Sequence, residues 1–132
     1  MTERGRDRLG RPLPHDADPS IFFPPVDVAP DASDVECWSL VVDYLAQGLP
    51  FHAHEVCELR WRNTDSDERI LWKALAQWCA ALTHELRGNA VGARSLAQKA
   101  IANLDAGSFA PDWLDRAIPR QDCARLMHLE DA

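Results

Sequence analysis

Between Ile70 and Leu86 the apolar residues Ile70, Leu71, Trp72, Leu75, Trp78, Cys79, Leu82 and Leu86 recur at helical spacing and cover much of a helix circumference. A helix so apolar around its axis has to sit among other helices, so this stretch predicts a bundle with itself at the centre. Its polar stripe is narrow: Lys73, Gln77 and His84, accompanied by the small residues Ala74 and Ala81, leaving room for a neighbouring helix. No β-alternation of useful length and no glycine-rich phosphate loop occurs anywhere in the chain.

The flanking signals place the other helices. Ser33-Asp34-Val35-Glu36 has the form of a capping box, and Trp38, Val41, Val42 and Leu45 follow at helical spacing until Gly48 supplies a left-handed stop. Pro50 suits the first position of a second helix, because the N–H it lacks would have no partner there. That helix ends near Asn63, and Asp65-Ser66-Asp67-Glu68 supplies acidic caps for the third, which runs to about Arg87. Gly88-Asn89 closes it and opens a fourth with a small-residue face of Ala93, Leu96, Ala97, Ala100 and Leu104. Pro111-Asp112-Trp113-Leu114 reads as the start of a short helix cut off at Pro119, with Gln121 to Leu129 adding a turn or two. The expected fold is all-α, an up-and-down bundle of two αα-hairpins plus a short C-terminal helix.

Residues 1–32 read differently. They hold six of the nine prolines, alternating with arginine and acidic residues, which predicts a disordered or draped tail ahead of one helical domain over residues 33–132. Within it, Ile21-Phe22-Phe23 before Pro24-Pro25 has the makings of an extended strap on the bundle.

Fourteen basic against twenty-one acidic residues give a net charge of −7, which argues against nucleic acid as a partner. No window approaches eighteen uncharged apolar residues and the start carries no hydrophobic region, so a soluble, cytoplasmic protein with no membrane contact is expected. The four cysteines, Cys37, Cys57, Cys79 and Cys123, have no CxxC pair and sit in helical pattern, where reduced, buried thiols are expected.

The chemistry concentrates in the second helix. Phe51, His54, Glu55, Glu58, Trp61 and Arg62 fall on one side at 100° per residue, with Ala53, Val56 and Arg60 on the other, and the side carrying the His/Glu cluster is expected to be buried. His54 and Glu58, one turn apart, let an imidazole nitrogen and a carboxylate oxygen converge on one ion. A divalent metal such as zinc would need a third ligand, for which His84 is the natural candidate, with Glu55 or His52 in reserve and Phe51, Trp61 and Gln77 as lining. His54-Glu55-Val56-Cys57-Glu58 also matches the first two positions of HExxH, which as a metal-dependent hydrolase would make Glu55 the general base and Glu58 a ligand. A small ligand other than a metal is equally served by this cluster. The structural alternative is an interior polar network tying the helices together. Two stacked hairpins with an A-x-x-x-A stripe also suggest a tetratricopeptide-like interaction module, in which the polar stripe reads a partner's carboxylate or amine. Five tryptophans in so short a chain leave a homo-oligomer or a protein partner open.

His54, Glu58 and Trp61 spell HxxxExxW, preceded by Phe51 and Ala53 as F-x-A-H-E and followed by His84-Glu85-Leu86-Arg87-Gly88-Asn89. In these motifs the chain resembles the domain of unknown function 309 family, small helical proteins of bacteria and archaea, over roughly Cys37 to Leu104. The resemblance implies a helical fold and a metal site at HxxxExxW. Pro50 and Trp72-Lys73-Ala74-Leu75, where the family more often has Q-G-L-I, depart from its pattern.

Overall fold

The computed structural model describes residues 5–18, 23, 26–65, 67–107 and 110–131. Five helices follow one another: α1 (Asp34–Ala46), α2 (Pro50–Arg62), α3 (Asp67–Leu86), α4 (Ala90–Ala106) and α5 (Ala117–Leu126). Among the described residues no strand forms; the one bridge, Arg6 to Pro12, is isolated. The all-α bundle expected from the helical spacing is the fold observed.

Local chemistry sets the helix ends. The Ser33 hydroxyl accepts from the Glu36 amide at 3.1 Å while the Glu36 carboxylate reaches back to the Ser33 amide, completing the capping box. Gly48 and Gly88 take φ of 74° and 77°, the left-handed geometry that lets each hairpin turn without a Cβ clash. Asn89 caps α4 by accepting from the Gly92 amide at 2.9 Å. The C-terminal helix departs from expectation. Residues 112–113 form only a turn, and α5 begins at Ala117 with Pro119 buried in its first turn. A proline there forfeits no intrahelical hydrogen bond, so it opens the helix instead of ending it.

α3 is the central helix, packing against α2, α4 and α5. Leu71, Trp72, Ala74, Leu75, Ala76, Trp78, Cys79 and Ala81 are all buried, so Ala74 and Ala81 belong to the core and not to the polar stripe. Leu86 and Val42, expected inside by spacing, are exposed. Ala93, Ala97, Ala100 and Leu104 of α4 are buried against α3, where small side chains allow close helix approach. Four of the five tryptophans build one aromatic cluster. Trp72 stacks on Trp113 with centroids 5.3 Å apart, and Trp38 lies 6.0 Å from Trp78 and 5.8 Å from Trp113. The four thiols are free and buried, and burial pushes those of Cys37 and Cys79 up and that of Cys123 to about 12, which suits packing and not reactivity.

The described part of the tail is draped against the bundle. Leu9 is buried, its carbonyl accepts from the Arg87 guanidinium, and Arg11 donates to the Arg87 carbonyl at 3.3 Å. Gly10, at φ 78°, lies directly on the Phe51 ring, where a Cβ would collide with ring carbons. Of the expected strap, Ile21 and Phe22 lie outside the described residues; Phe23 is partly exposed, with its ring 5.9 Å from that of His52. Gly10→Ala should therefore release the tail, since the left-handed backbone and the clash together cost about 1 kcal/mol or more. The expected result is faster tryptic cleavage after Arg6 and Arg8, with the bundle's melting temperature lowered by no more than a few degrees. Unchanged cleavage would show that the contact holds nothing down.

Candidate functional site

The side of α2 that enters the core is Ala53, Val56 and Cys57, together with His52 at its start. The stripe of Phe51, His54, Glu58 and Trp61 stands beside it, half-buried, facing α3. This corrects the expectation that the His/Glu cluster occupies a buried helix face: the side chains of His54 and Glu58 keep 22% and 26% of their surface, and Glu55 keeps 43%. The apolar side won the core because three small or branched residues pack there without desolvating charge.

Two cavities flank His54, of about 180 and 200 Å³. The first is walled by Glu58 and Trp61 from α2, Lys73, Ala76 and Gln77 from α3, and Leu96 from α4. The second is walled by Phe51, Thr83, His84 and Arg87. His54 and Ala80 line both, so the two form one groove between α2 and α3. From Lys73 to Arg87 it runs roughly 20 Å along the helix axis.

His54 Nε2 stands 3.4 Å from Oε1 of Glu58, which lines the groove with it, and His54 Nδ1 stands 3.5 Å from Oε1 of Glu55, which lines neither cavity. Arg62 donates to Glu58 Oε2 at 2.9 Å. The hydrogen bond from His54 holds the Glu55 carboxyl below its usual range. Among the described residues, every hydrogen bond and ion pair of His54, Glu55 and Glu58 stays within α2. That separates the cluster from an interior network, whose bonds would cross between helices.

Such a crossing network does exist, and it lies elsewhere. Arg60 Nε donates to Asp34 Oδ1 at 2.6 Å, Arg60 Nη2 to Glu68 Oε1 at 3.2 Å, and Trp72 Nε1 to Asp34 Oδ1 at 3.1 Å, joining α1, α2 and α3. A hydrogen bond with Asp34 raises Glu68. Burial pushes Asp34 up, but its bonds with Glu68, Arg60 and Trp72 outweigh that and hold it low. Periodicity placed Arg60 opposite the His/Glu stripe; the acidic residues at both helix starts were the signal for its partners.

His84 lines the cavity with His54, as expected of a stripe facing α2. Its Nδ1 is 3.1 Å from Asn89 Nδ2. Because Asn89 Oδ1 is committed to the Gly92 amide, its NH₂ faces the imidazole, so Nδ1 accepts and the neutral ring carries its proton on Nε2. Burial, with Arg87 and His54 nearby, lowers the His84 pKa and keeps it neutral. Gln77 lines the groove and accepts from Asn103 of α4 at 2.7 Å. His52 stands apart, buried between the rings of Tyr44, Phe51 and Phe23 at 5.4, 6.0 and 5.9 Å. Trp61 carries Arg69 and Lys73 over its ring, 5.2 and 5.9 Å from the centroid.

Two zinc ligands about 2.1 Å from the ion at a tetrahedral angle stand about 3.4 Å apart, which the His54–Glu58 separation matches. Protein zinc sites with an open position use three protein ligands. Among the described residues no group of three His, Cys, Asp or Glu converges to hold a metal ion. As the side chains stand, the pair makes one edge of a metal site and does not fit a resident metal.

The groove also bears on the chain's relationships. Residues 38–96 match the family model of the domain of unknown function (DUF309). The match runs from α1 into α4 and takes in every residue lining the groove, from Phe51 to Leu96. The docked tail, Trp113 and α5 lie outside the DUF309 match. No curated protein and no solved structure matches the chain. Among the described residues no helix is long and apolar enough to cross a membrane.

Proposed function

We propose that this DUF309-like domain binds a small organic ligand in the groove between α2 and α3, with His54 and Glu58 as its polar centre. The observation that carries the reading is the position of His54: it lines both cavities and presents a ring and a neighbouring carboxylate that, among the described residues, are tied to no other helix. Polar side chains that hold no helices together, set at the middle of a concave strip floored by alanine, are what a binding site needs for orientation. Cavities of about 180 and 200 Å³ suit a molecule smaller than a drug, bound weakly, in the micromolar to millimolar range.

The test is a fragment panel in ligand-observed NMR on the full chain, with Ala80→Phe and His54→Ala beside the wild type. Ala80 floors both cavities from a partly exposed position, so a phenyl group fills the groove without entering the core. Binders to the wild type should lose at least tenfold in affinity in both variants, with helicity by circular dichroism retained. Fragments that bind Ala80→Phe as well as wild type would move the site elsewhere. Untagged protein is assayed for metals in parallel: stoichiometric zinc, lost in His54→Ala, would replace the organic ligand with a metal.

A further inference from the structure

The two ends of the groove differ in charge, and that difference selects a class of ligand. The end toward Trp61 is lined by both a carboxylate, Glu58, and an ammonium, Lys73. The other end is lined by Phe51, His54, Ala80, Thr83, His84 and Arg87: one guanidinium, two imidazoles and no carboxylate, in a chain of net charge −7. Further cations border it. Arg6 sits 5.9 Å from the Phe51 ring centroid, and Arg11 reaches the Arg87 carbonyl. The nearby acids are engaged: Glu55 and Glu58 with His54, and Glu85 with Arg125.

Two side chains at this end offer an anion something to bind. Arg87 lines the cavity and gives one Nη to the Leu9 carbonyl; its Nε is buried out of a ligand's reach, so what it offers is the positive charge of the guanidinium. His84 is locked by Asn89 with its proton on Nε2, so it offers an N–H without needing to be charged. Thr83 does not join them, since its hydroxyl donates to the Cys79 carbonyl at 2.8 Å.

Resting on the groove reading above, we infer that the cavity at Arg87 and His84 receives the anionic group of the ligand, a carboxylate or a phosphate, while Phe51 covers the attached apolar part. The guanidinium supplies the charge, and the His84 N–H supplies direction.

A shape-matched series tests this: benzoate, benzamide, benzylammonium and phenyl phosphate, titrated by calorimetry into the full chain at pH 7.5. Benzoate or phenyl phosphate should bind at least about tenfold more tightly than benzamide, in line with a hydrogen bond to a charged group. Benzylammonium should bind least. Whichever of the two anions is tighter tells a carboxylate ligand from a phosphate. Arg87→Gln should bring benzoate and benzamide to within about twofold of each other, Arg87→Lys should restore part of the gap, and Arg120→Gln, an exposed cation on α5 that lines neither cavity, should leave it unchanged. Because Arg87 also holds the tail, each variant is checked for helicity and for tryptic cleavage of residues 5–13. Equal binding of benzoate and benzamide to the wild type, or an anion preference that survives Arg87→Gln, overturns the inference and leaves the groove reading standing. Failure of the whole series to bind, while panel fragments still do, overturns it in the same way; if neither binds, both readings fall.

Discussion

Trp72→Ala should destabilise the fold by about 3–5 kcal/mol, the range for deleting a fully buried large aromatic. Trp72 has no exposed surface, stacks on Trp113, and donates its indole N–H to Asp34. Removing it opens a void between α3 and the segment leading to α5 and takes away one of the bonds that hold the Asp34 carboxylate. A domain of this size has roughly 5–15 kcal/mol in all, so the variant should forfeit a large share of its stability and unfold at a markedly lower urea concentration. Urea unfolding followed by circular dichroism measures it. Trp72→Phe separates the two contributions, keeping most of the apolar volume without the N–H, and should cost no more than about half as much. Equal loss in both variants would place the energy in the Asp34 bond and not in packing.

Arg60→Ala is expected to follow, at about 2–3 kcal/mol. Its head bonds Asp34 and Glu68 from a site where the three side chains keep only 17%, 18% and 25% of their surface, so removing it leaves two adjacent carboxylates partly buried and without their cation. Breaking a fully buried pair costs more, and solvent at this site screens part of the loss. The pH dependence has a definite sign. Asp34 is held below the usual aspartate range, so its contribution exists above that range and is lost as pH falls through its folded value. Glu68 is raised, so its contribution exists at low pH and is lost as pH rises through its folded value. Since Arg60 acts on ionised carboxylates, the gap between wild type and Arg60→Ala should narrow as the pH is lowered below the ordinary aspartate range. A double-mutant cycle with Asp34→Asn should return a coupling of at least about 1 kcal/mol; additive losses would mean the 2.6 Å contact contributes nothing.

Much of the scaffold was legible because its signals are local. Ser33 with Glu36, Gly48 with Pro50, and Gly88 with Asn89 each settle a boundary through one or two hydrogen bonds or one dihedral, and the structure keeps all of them. The small face of α4 was legible for the same reason. What periodicity left open was non-local. α2 carries polar groups on both sides, so its pattern could not decide that Ala53, Val56 and Cys57, and not the His/Glu stripe, enter the core. The seat of Gly10 on Phe51 joins residues forty-one positions apart and has no local trace. Pro119 misled because a proline reads alike as a helix stop and as a first-turn residue; only the burial of its ring against the core tells the two apart.

The candidate site was half legible. Spacing brought out His54, Glu58 and His84, and they line one groove with Phe51, Trp61 and Gln77. Arg87 sits in the turn after α3, where it reads as part of a helix stop, yet it makes one end of the groove cationic. His52 reads as a neighbour of the site and is instead turned into an aromatic pocket with Tyr44 and Phe23.

The most direct test of the proposal that the groove binds a ligand uses the five histidines as reporters, His15, His52, His54, His84 and His128. Their ring resonances are followed by NMR while the tightest fragment is titrated in. His54 and His84 should shift together along one saturation curve, and His15 and His128 should stay in place. A binder that moves His15 or His128 while leaving His54 and His84 still would contradict the account.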